Sequence, residues 1–202
     1  AKTFWELFIR RVELSGDKKM LIDDSDRSLT FSEVKEKVEK TVAGFIELGV
    51  GEGTPVTWVL PTRIETIVTS LALSRIGAVQ NPIIHIYRER EVGFCIRQTS
   101  SELVLVPGEW NGFDYQEMVK NSTADMANPP KIVRVYDSLP EGDSQDLPEE
   151  NNSNSEQSIR WIYYTSGTTS DPKGAMHTDS SLIAGGVGLA KALNMGEQDI
   201  GS

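Results

Sequence analysis

The sequence predicts an α/β fold in which a mostly parallel sheet is flanked by helices. Short apolar stretches typical of buried strands alternate with longer amphipathic stretches typical of helices. Glycine or a proline–glycine pair closes several of these stretches, as at Gly77 and at Pro107-Gly108. The composition, with 38% hydrophobic and 25% charged residues, is that of a globular chain.

The first elements precede the alternation. A helix is predicted over residues 3–14, and apolar runs at 20–22 and 28–31 predict a hairpin across an aspartate-rich turn. Thr30 and Glu33 have the spacing of a capping box and open a second helix. The apolar stripe of that helix contains Val34, Val38, Val42, Phe45 and Ile46.

The alternation itself runs from residue 55 to residue 136. The predicted elements are a strand at 55–60, a helix at 64–76, an extended segment at 78–84, a helix at 89–98, a strand at 103–106, a helix at 113–120 and a strand at 132–136. Strands separated by helices form βαβ units, because a parallel neighbour needs a crossover connection. The sheet is therefore predicted to be mostly parallel.

The composition changes sharply between residues 137 and 158. This stretch holds seven acidic residues, two prolines and a run of Asn and Ser, with no Lys or Arg. Such a stretch buries too little apolar surface to offset its chain entropy, which predicts a flexible acidic connector on the surface. A functional acidic tail is the alternative. The connector divides the chain into an α/β portion at 1–136 and a segment at 159–202.

Charge and cysteine usage exclude several functions. The formal net charge is −10, and residues 1–100 carry 14 basic and 14 acidic side chains, so the excess acid lies in the second half. No basic face is expected, which argues against nucleic-acid binding. The single cysteine, Cys95, excludes an internal disulfide and a multi-cysteine zinc site and favours a reducing, cytoplasmic compartment. No apolar stretch approaches the roughly 20 residues of a membrane span.

The remaining single residues have plain structural interpretations. Cys95 is expected to be buried and inert. His85 and His177 are expected to be packed or solvated side chains, although His177 stands close to the loop described next. No metal site is predicted. Four tryptophans are interpreted as structural, three in the core and one in a turn: Trp5, Trp58, Trp161 and Trp110.

The most informative segment is a loop after the predicted strand at 159–164. Five of the ten residues at 165–174 are Ser or Thr, and a helix is predicted to follow at 180–193. Glycine lets backbone N–H groups approach phosphate oxygens, hydroxyls add donors, and lysine supplies a compact positive charge. The sequence therefore predicts a phosphate-binding loop, although a simple Ser/Thr turn is the alternative. Its binding residues are Thr165, Ser166, Gly167, Thr168, Thr169, Lys173 and Gly174.

Two familiar nucleotide motifs do not fit this loop. A Walker A loop needs four residues between its glycines and then Lys and Ser or Thr, whereas the residue that follows the four after Gly167 is Pro172. The G-x-G-x-x-G dinucleotide pattern is also absent. Simple P-loop and Rossmann interpretations are therefore disfavoured.

The loop resembles the phosphate-binding signature of the adenylate-forming superfamily, T-S-G-T-T-G-x-P-K-G. That superfamily contains acyl- and aryl-CoA synthetases, peptide-synthetase adenylation domains and luciferases. The matching positions are Thr165, Ser166, Gly167, Thr168, Thr169, Pro172, Lys173 and Gly174. The chain departs from the pattern at Ser170, where glycine is usual, and at Asp179, where a histidine often follows the threonine.

The resemblance extends upstream in the same order. Residues 29–33, 49–56 and 74–83 resemble three further segments of the superfamily. The stretch at 79–82, followed by 86–91, looks most similar to CoA ligases of alicyclic and medium- or long-chain acids.

The resemblance implies a function and a set of ligands. The chain would be an incomplete amino-terminal part of the large domain of an acyl-CoA synthetase, which joins a carboxylic acid to ATP as an acyl-adenylate and then transfers the acyl group to coenzyme A. It implies ATP, Mg²⁺ and coenzyme A as cofactors, with the metal-binding glutamate and the catalytic lysine further along. A fragment of this kind is expected to be inactive alone. The alternatives are an adenylation domain that loads a carrier protein and a non-catalytic nucleotide-binding module.

Overall fold

The computed structural model describes residues 1–145, 147–148, 157–165, 172–196 and 199–201. Within them the helices are α1 (Phe4–Ser15), α2 (Phe31–Glu47), α3 (Ile64–Ile76), α4 (Glu89–Thr99), α5 (Tyr115–Thr123) and α6 (Asp179–Ala192). The strands are β1 (Lys19–Ile22), β2 (Ser28–Thr30), β3 (Pro55–Trp58), β4 (Val79–Pro82), β5 (Leu103–Val106), β6 (Glu109–Trp110), β7 (Phe113–Asp114), β8 (Lys131–Arg134), β9 (Trp161–Thr165) and β10 (Lys173–His177).

Six of these strands form the main sheet, in the order β10-β9-β4-β3-β5-β8. The pairs β9/β4, β4/β3, β3/β5 and β5/β8 are parallel, and only β10 and β9 are antiparallel. The predicted fold class is confirmed. Strand β9, which follows the predicted connector, lies directly beside β4, so residues on both sides of the connector share one sheet.

Helices cover both faces of this sheet. Alternate strand residues point to opposite faces, and Val56, Leu103 and Leu105 pack with side chains of α1, α2 and α3. Val104 and Val106 pack on the other face with side chains of α4 and α5. The core is therefore divided into two apolar layers, as expected for a parallel sheet whose two faces are both buried.

Local signals in the sequence explain where α2 and α3 begin and end. The Thr30 side chain accepts from the Glu33 backbone N–H, and the Glu33 carboxylate accepts from the Thr30 N–H, which confirms the capping box. Helix α3 ends at Gly77, whose φ of 79° is the left-handed conformation that glycine adopts without strain. One member of the predicted α2 stripe is wrong, because Ile46 is 39% exposed.

The predicted helix at 113–120 is wrong at its beginning. Phe113 and Asp114 form β7, which pairs with β6 across a turn at Asn111 and Gly112, both with positive φ. Helix α5 begins at Tyr115 because the Asp114 side chain caps it, accepting from the Glu117 N–H at 2.9 Å. A two-residue turn with positive φ at both positions favours a hairpin over a helix.

Part of the predicted connector, which was expected to bury too little apolar surface to offset its chain entropy, is packed against the core. Leu139 and Leu147 are half-buried against the cluster on the α1–α3 face. The Gly142 N–H donates to the Lys40 carbonyl oxygen of α2 at 3.0 Å. A Cβ atom on Gly44 would overlap the backbone of Pro140, so glycine here permits the close approach. The three-part division at 137 and 158 stays a prediction.

The predictions made for single residues are confirmed for some residues and wrong for others. Trp5 and Trp161 are buried as predicted, whereas Trp58 is half-buried against the core. Cys95 is fully buried, and its burial, assisted by Glu91, raises the pKa of the thiol to about 12. No helix in the described ranges is long and apolar enough to span a bilayer.

The packing of Pro140 on α2 predicts an inverted effect of a helix-favouring substitution. Gly→Ala inside a helix normally stabilises by about 1 kcal/mol. We expect Gly44→Ala instead to destabilise by about 1–2 kcal/mol, because the added methyl overlaps the Pro140 backbone. Gly186→Ala in α6, where a methyl meets no atom within 4 Å, is the matched control and should stabilise. Urea unfolding of both variants measures the difference, and stabilisation by Gly44→Ala would contradict this packing.

Candidate nucleotide-binding site

The predicted phosphate loop connects the two strands of an antiparallel hairpin. Thr165, the last residue of β9, pairs with Lys173, the first residue of β10, and Gly174 pairs with Tyr164. The described part of the predicted site is thus Thr165, Lys173 and Gly174. The other four predicted residues, Ser166, Gly167, Thr168 and Thr169, lie outside the described residues.

The helix predicted at 180–193 is present as α6, but a strand that was not predicted, β10, separates it from the loop. Strand β10 comes first and runs back along β9 until His177 pairs with Trp161, and only then does α6 begin. Four residue steps of about 3.3 Å place that end of the hairpin about 13 Å from Lys173. The amino end of α6 therefore lies at the opposite end of the hairpin, and its N–H groups and dipole are not available to the loop.

The position of the loop in the sheet favours ligand binding. Because β9 is parallel to β4, Thr165 ends at the same edge as the carboxyl ends of β3, β4 and β5. Ligands of open α/β sheets bind in the crevice outside this edge. The side chains of Thr165 and Lys173 are exposed there. A hydroxyl and an ammonium group, both hydrogen-bond donors, are held on adjacent strands.

Gly174 and Tyr164 define the tight base of the loop. A Cβ on Gly174 would stand 2.9 Å from Ile162 Cγ2 and 3.2 Å from the Tyr164 ring, so the hairpin leaves no room for a side chain. The Tyr164 hydroxyl donates to Gln98 Oε1 of α4 at 2.5 Å. Burial, with a contribution from Cys95, raises the pKa of Tyr164 to about 12. Tyr164 is therefore a neutral donor that ties β9 to α4.

The amino end of β9 is held by Arg160, which the sequence analysis did not single out. This side chain is buried, donates to the Gly77 carbonyl oxygen at the end of α3, and contacts Glu52 Oε1 at 2.8 Å. The Gln80 N–H donates to the Arg160 carbonyl oxygen at 2.8 Å. A clue was available, since Arg160 is the one basic residue between Arg134 and Lys173 and directly precedes an apolar strand. A buried charge at such a place requires a specific partner.

Both histidines pack against aromatic rings. His177, at the far end of β10, packs its ring edge-on against Tyr163 with centroids 5.9 Å apart. His85 follows β4 at the carboxyl edge and packs edge-on against Trp110 at 4.8 Å. The expectation was a packed or solvated side chain for each, and both rings are packed. Trp110 is half-buried in the β6–β7 hairpin and also contacts Tyr115.

Comparison with known proteins identifies the family. The family model described as AMP-binding enzyme matches residues 8–200. The chain belongs to the AMP-binding enzyme family.

Relatives of this AMP-binding chain include two enzymes whose names contain coenzyme A. A probable CoA ligase of Humulus lupulus, CCL9, is 27% identical over 91% of the chain and 36% of its own length. The acetyl-coenzyme A synthetase of Escherichia coli K12 is 26% identical over 86% of the chain and 30% of its own length. The hybrid PKS-NRPS synthetase apdA of Emericella nidulans is 25% identical over 97% of the chain and 5% of its own length. The chain thus spans about a third or less of these relatives.

Solved structures share the fold of this AMP-binding chain. The O-succinylbenzoate coenzyme A synthetase of Bacillus subtilis, in complex with AMP, has a TM-score of 0.78 at 21% identity and covers 98% of the chain and 48% of its own. The N-terminal domain of FACL13 from Mycobacterium tuberculosis has a TM-score of 0.76 at 23% identity, over 91% of the chain and 46% of its own. The fold therefore matches the N-terminal domain of adenylate-forming enzymes.

The tight contact at Gly174 yields a prediction about the loop base. We expect Gly174→Ala to destabilise by about 1 kcal/mol, because the methyl displaces Ile162 and Tyr164. Ala175→Val on the same strand, at an exposed position, is the control and should change stability by less than about 0.5 kcal/mol. Thermal unfolding compares the two variants. An unchanged midpoint in Gly174→Ala would show that the base of the loop is less tightly packed than described.

Proposed function

We propose that this chain supplies the phosphate-binding part of an ATP-dependent acid–thiol ligase, an acyl-CoA synthetase. The reaction joins a carboxylic acid to ATP, giving an acyl-adenylate and pyrophosphate, and then transfers the acyl group to the thiol of coenzyme A. The observation that carries the proposal is the hairpin that presents Thr165 and Lys173 together at the carboxyl edge of the parallel sheet. Membership of the AMP-binding family supports it.

The proposed roles follow from the charges that must meet. The carboxylate and the triphosphate are both anions, so the β- and γ-phosphates must be held and screened while the carboxylate approaches the α-phosphorus. Lys173 neutralises phosphate charge, and Gly167 offers its backbone N–H. The hydroxyl donors are Thr165, Ser166, Thr168 and Thr169. Gly174 keeps the base of the hairpin narrow.

The donor set of the described residues fits a phosphate group. Thr165 and Lys173 both donate hydrogen bonds, and Lys173 carries a positive charge beside the loop. Magnesium, when bound, would add further screening of the phosphates. No group of three or more His, Cys, Asp or Glu that could hold a metal ion occurs within the described ranges. The resemblance implies a metal-binding glutamate further along than this chain. No catalytic side chain is assigned to this chain.

The proposal extends to substrate class and location. The stretch at 79–91 resembles CoA ligases of alicyclic and medium- or long-chain acids, which supports such an acid as substrate and a role in fatty acid metabolism. The one cysteine is buried, in keeping with a reducing cytoplasmic compartment. Neither a nucleic acid nor a membrane span is part of the proposal.

A second candidate is an adenylation domain that loads a carrier protein. The similarity to a hybrid PKS-NRPS synthetase, over 97% of the chain, favours it. The two candidates share acyl-adenylate formation and differ in the thiol acceptor. A panel of carboxylic acids offered to the full-length protein, with AMP release measured with free coenzyme A or with a phosphopantetheinyl carrier protein, separates them.

Lys173→Ala in the full-length protein tests the phosphate-binding role. We expect the rate of adenylate formation to fall about 100- to 1,000-fold, because the variant loses a charge that stabilises the developing phosphate charge. Thr168→Ala should lose about tenfold, since it removes one neutral hydrogen bond. Lys191→Ala, which removes an exposed lysine of α6, is the matched control and should keep wild-type activity.

Pyrophosphate exchange with the cognate acid provides the measurement for these variants. Unchanged adenylate formation in both Lys173→Ala and Thr168→Ala would refute the proposed role of the loop. A full-length wild-type protein that binds ATP but forms no adenylate with any acid would instead favour the non-catalytic binding module.

The isolated chain of 202 residues should not catalyse the reaction. It contains the proposed phosphate loop but spans only about a third of its CoA-ligase relatives, so other parts of the site are expected elsewhere. ATP–pyrophosphate exchange by the isolated chain, beside the full-length protein as a positive control, is the measurement. Exchange above background would contradict the prediction.

A further inference from the structure

A buried carboxylate joins three separate elements at the end of the hairpin opposite the loop. Asp179, the first residue of α6, is only 2% exposed. Its Oδ1 accepts from Trp161 Nε1 at 2.7 Å, and its Oδ2 accepts from the Phe4 backbone N–H at 3.2 Å. A buried carboxylate without such donors would be strongly unfavourable. Each of its two carboxylate oxygens thus accepts a hydrogen bond.

The two donors belong to distant parts of the chain. Phe4 is the first residue of α1, and its N–H is among those that lack an intrahelical acceptor. Trp161 is the first residue of β9, is itself buried, and packs edge-to-face on the Phe4 ring with centroids 5.5 Å apart. Asp179 therefore fixes α1, β9 and α6 at one point, across 175 residues of sequence.

The contact between Asp179 and Trp161 lies at the start of β9, the strand that leads into the loop. Trp161 and Thr165 are the two ends of β9, and the residues between them are Ile162, Tyr163 and Tyr164. Such β-branched and aromatic residues favour a regular strand, so a shift at Trp161 is carried to Thr165. Trp161 is also the one residue of β9 with a registered partner in β4. Because the backbone pairing between β9 and β4 is so short, the side-chain contacts of Trp161 are important for the position of β9.

We propose that Asp179 is a positioning residue, which through Trp161 fixes β9 and thereby the positions of Thr165 and Lys173 relative to the rest of the sheet. Its effect on ATP rests on the proposed function, whereas its effect on the hairpin does not. Asp179 touches no reacting atom. The position is one at which the chain departs from the superfamily pattern, and the carboxylate accepts from two donors at once.

Hydrogen exchange provides a test that does not depend on activity. In Asp179→Ala the donors of Trp161 and Phe4 lose a buried acceptor, and we expect amides of β9 and β10 to exchange about tenfold faster. Asp179→Asn keeps one acceptor oxygen and should give an intermediate value. Trp161→Phe removes one donor and should also speed exchange in these strands. Its effect on exchange should be smaller in the Asp179→Ala background, since both variants break the same contact.

A destabilised but distant variant serves as the control. Val38→Ala creates a cavity in α2, on the face opposite α4 and α5, and lowers stability without touching Asp179 or Trp161. It should leave exchange in β9 and β10 unchanged at temperatures well below unfolding. Faster exchange confined to β9, β10 and the start of α1 in Asp179→Ala supports the proposal. Unchanged exchange there, or the same pattern in Val38→Ala, overturns it.

A kinetic measurement on the full-length protein then connects the hairpin to ATP. In Asp179→Ala we expect KM for ATP to rise about tenfold while kcat at saturating ATP falls less, with partial recovery in Asp179→Asn. Val38→Ala should leave KM unchanged. If KM for ATP stays constant in Asp179→Ala although Lys173→Ala abolishes activity, the positioning role is wrong and the proposed function stands. If Lys173→Ala and Thr168→Ala are both fully active, the proposed role of the loop fails, and the exchange experiment still decides whether Asp179 positions the hairpin.

Discussion

The most important contact in the molecule is the one that Arg160 makes beside the pairing of strands β4 and β9. Its guanidinium donates to the carbonyl oxygen of Gly77, where α3 ends and the chain turns into β4, and also contacts Glu52. A cation at a helix carboxyl end is favourable because carbonyl oxygens concentrate partial negative charge there. Gly77 has a positive φ, and a Cβ there would stand only 3.2 Å from the guanidinium. One glycine therefore ends a helix and makes room for the charge that positions the next strand.

The candidate site depends on the position of β9, which is set by contacts along the strand. At the amino end, buried charged groups fix the strand beside β4, while at the carboxyl end Thr165 and Lys173 stand exposed beside the loop. In between, Tyr164 connects the strand to α4 through Gln98. Exposed donors on a well-packed base are what the proposed phosphate-binding role would require, since donors held in place need not reorganise around a ligand.

Local signals explain the elements that could be predicted from sequence, and long-range contacts explain those that could not. Helix α3 and strand β5 have the predicted limits, because Gly77 and Pro107-Gly108 end them through their own backbone preferences. Strand β10 was not predicted, and its first two residues were assigned to the loop. Residues such as Gly174 and Ala175 carry little strand preference, and the strand exists through pairing with β9. The loop residues of the proposed site were predicted from residue type and stay a prediction. Arg160 was missed because its partners, Gly77 and Glu52, are remote in sequence.

The placement of β10 has a consequence for how the isolated chain behaves in solution. It is the outermost strand of the described sheet, so the backbone groups along its free side are open to another strand. Met176 on this strand is 67% exposed, and Leu189 and Leu193 add apolar surface on the neighbouring stretch of chain. The net charge of −10 opposes this tendency by repulsion between copies. Salt, which screens that repulsion, is therefore expected to promote self-association of the isolated chain through this edge.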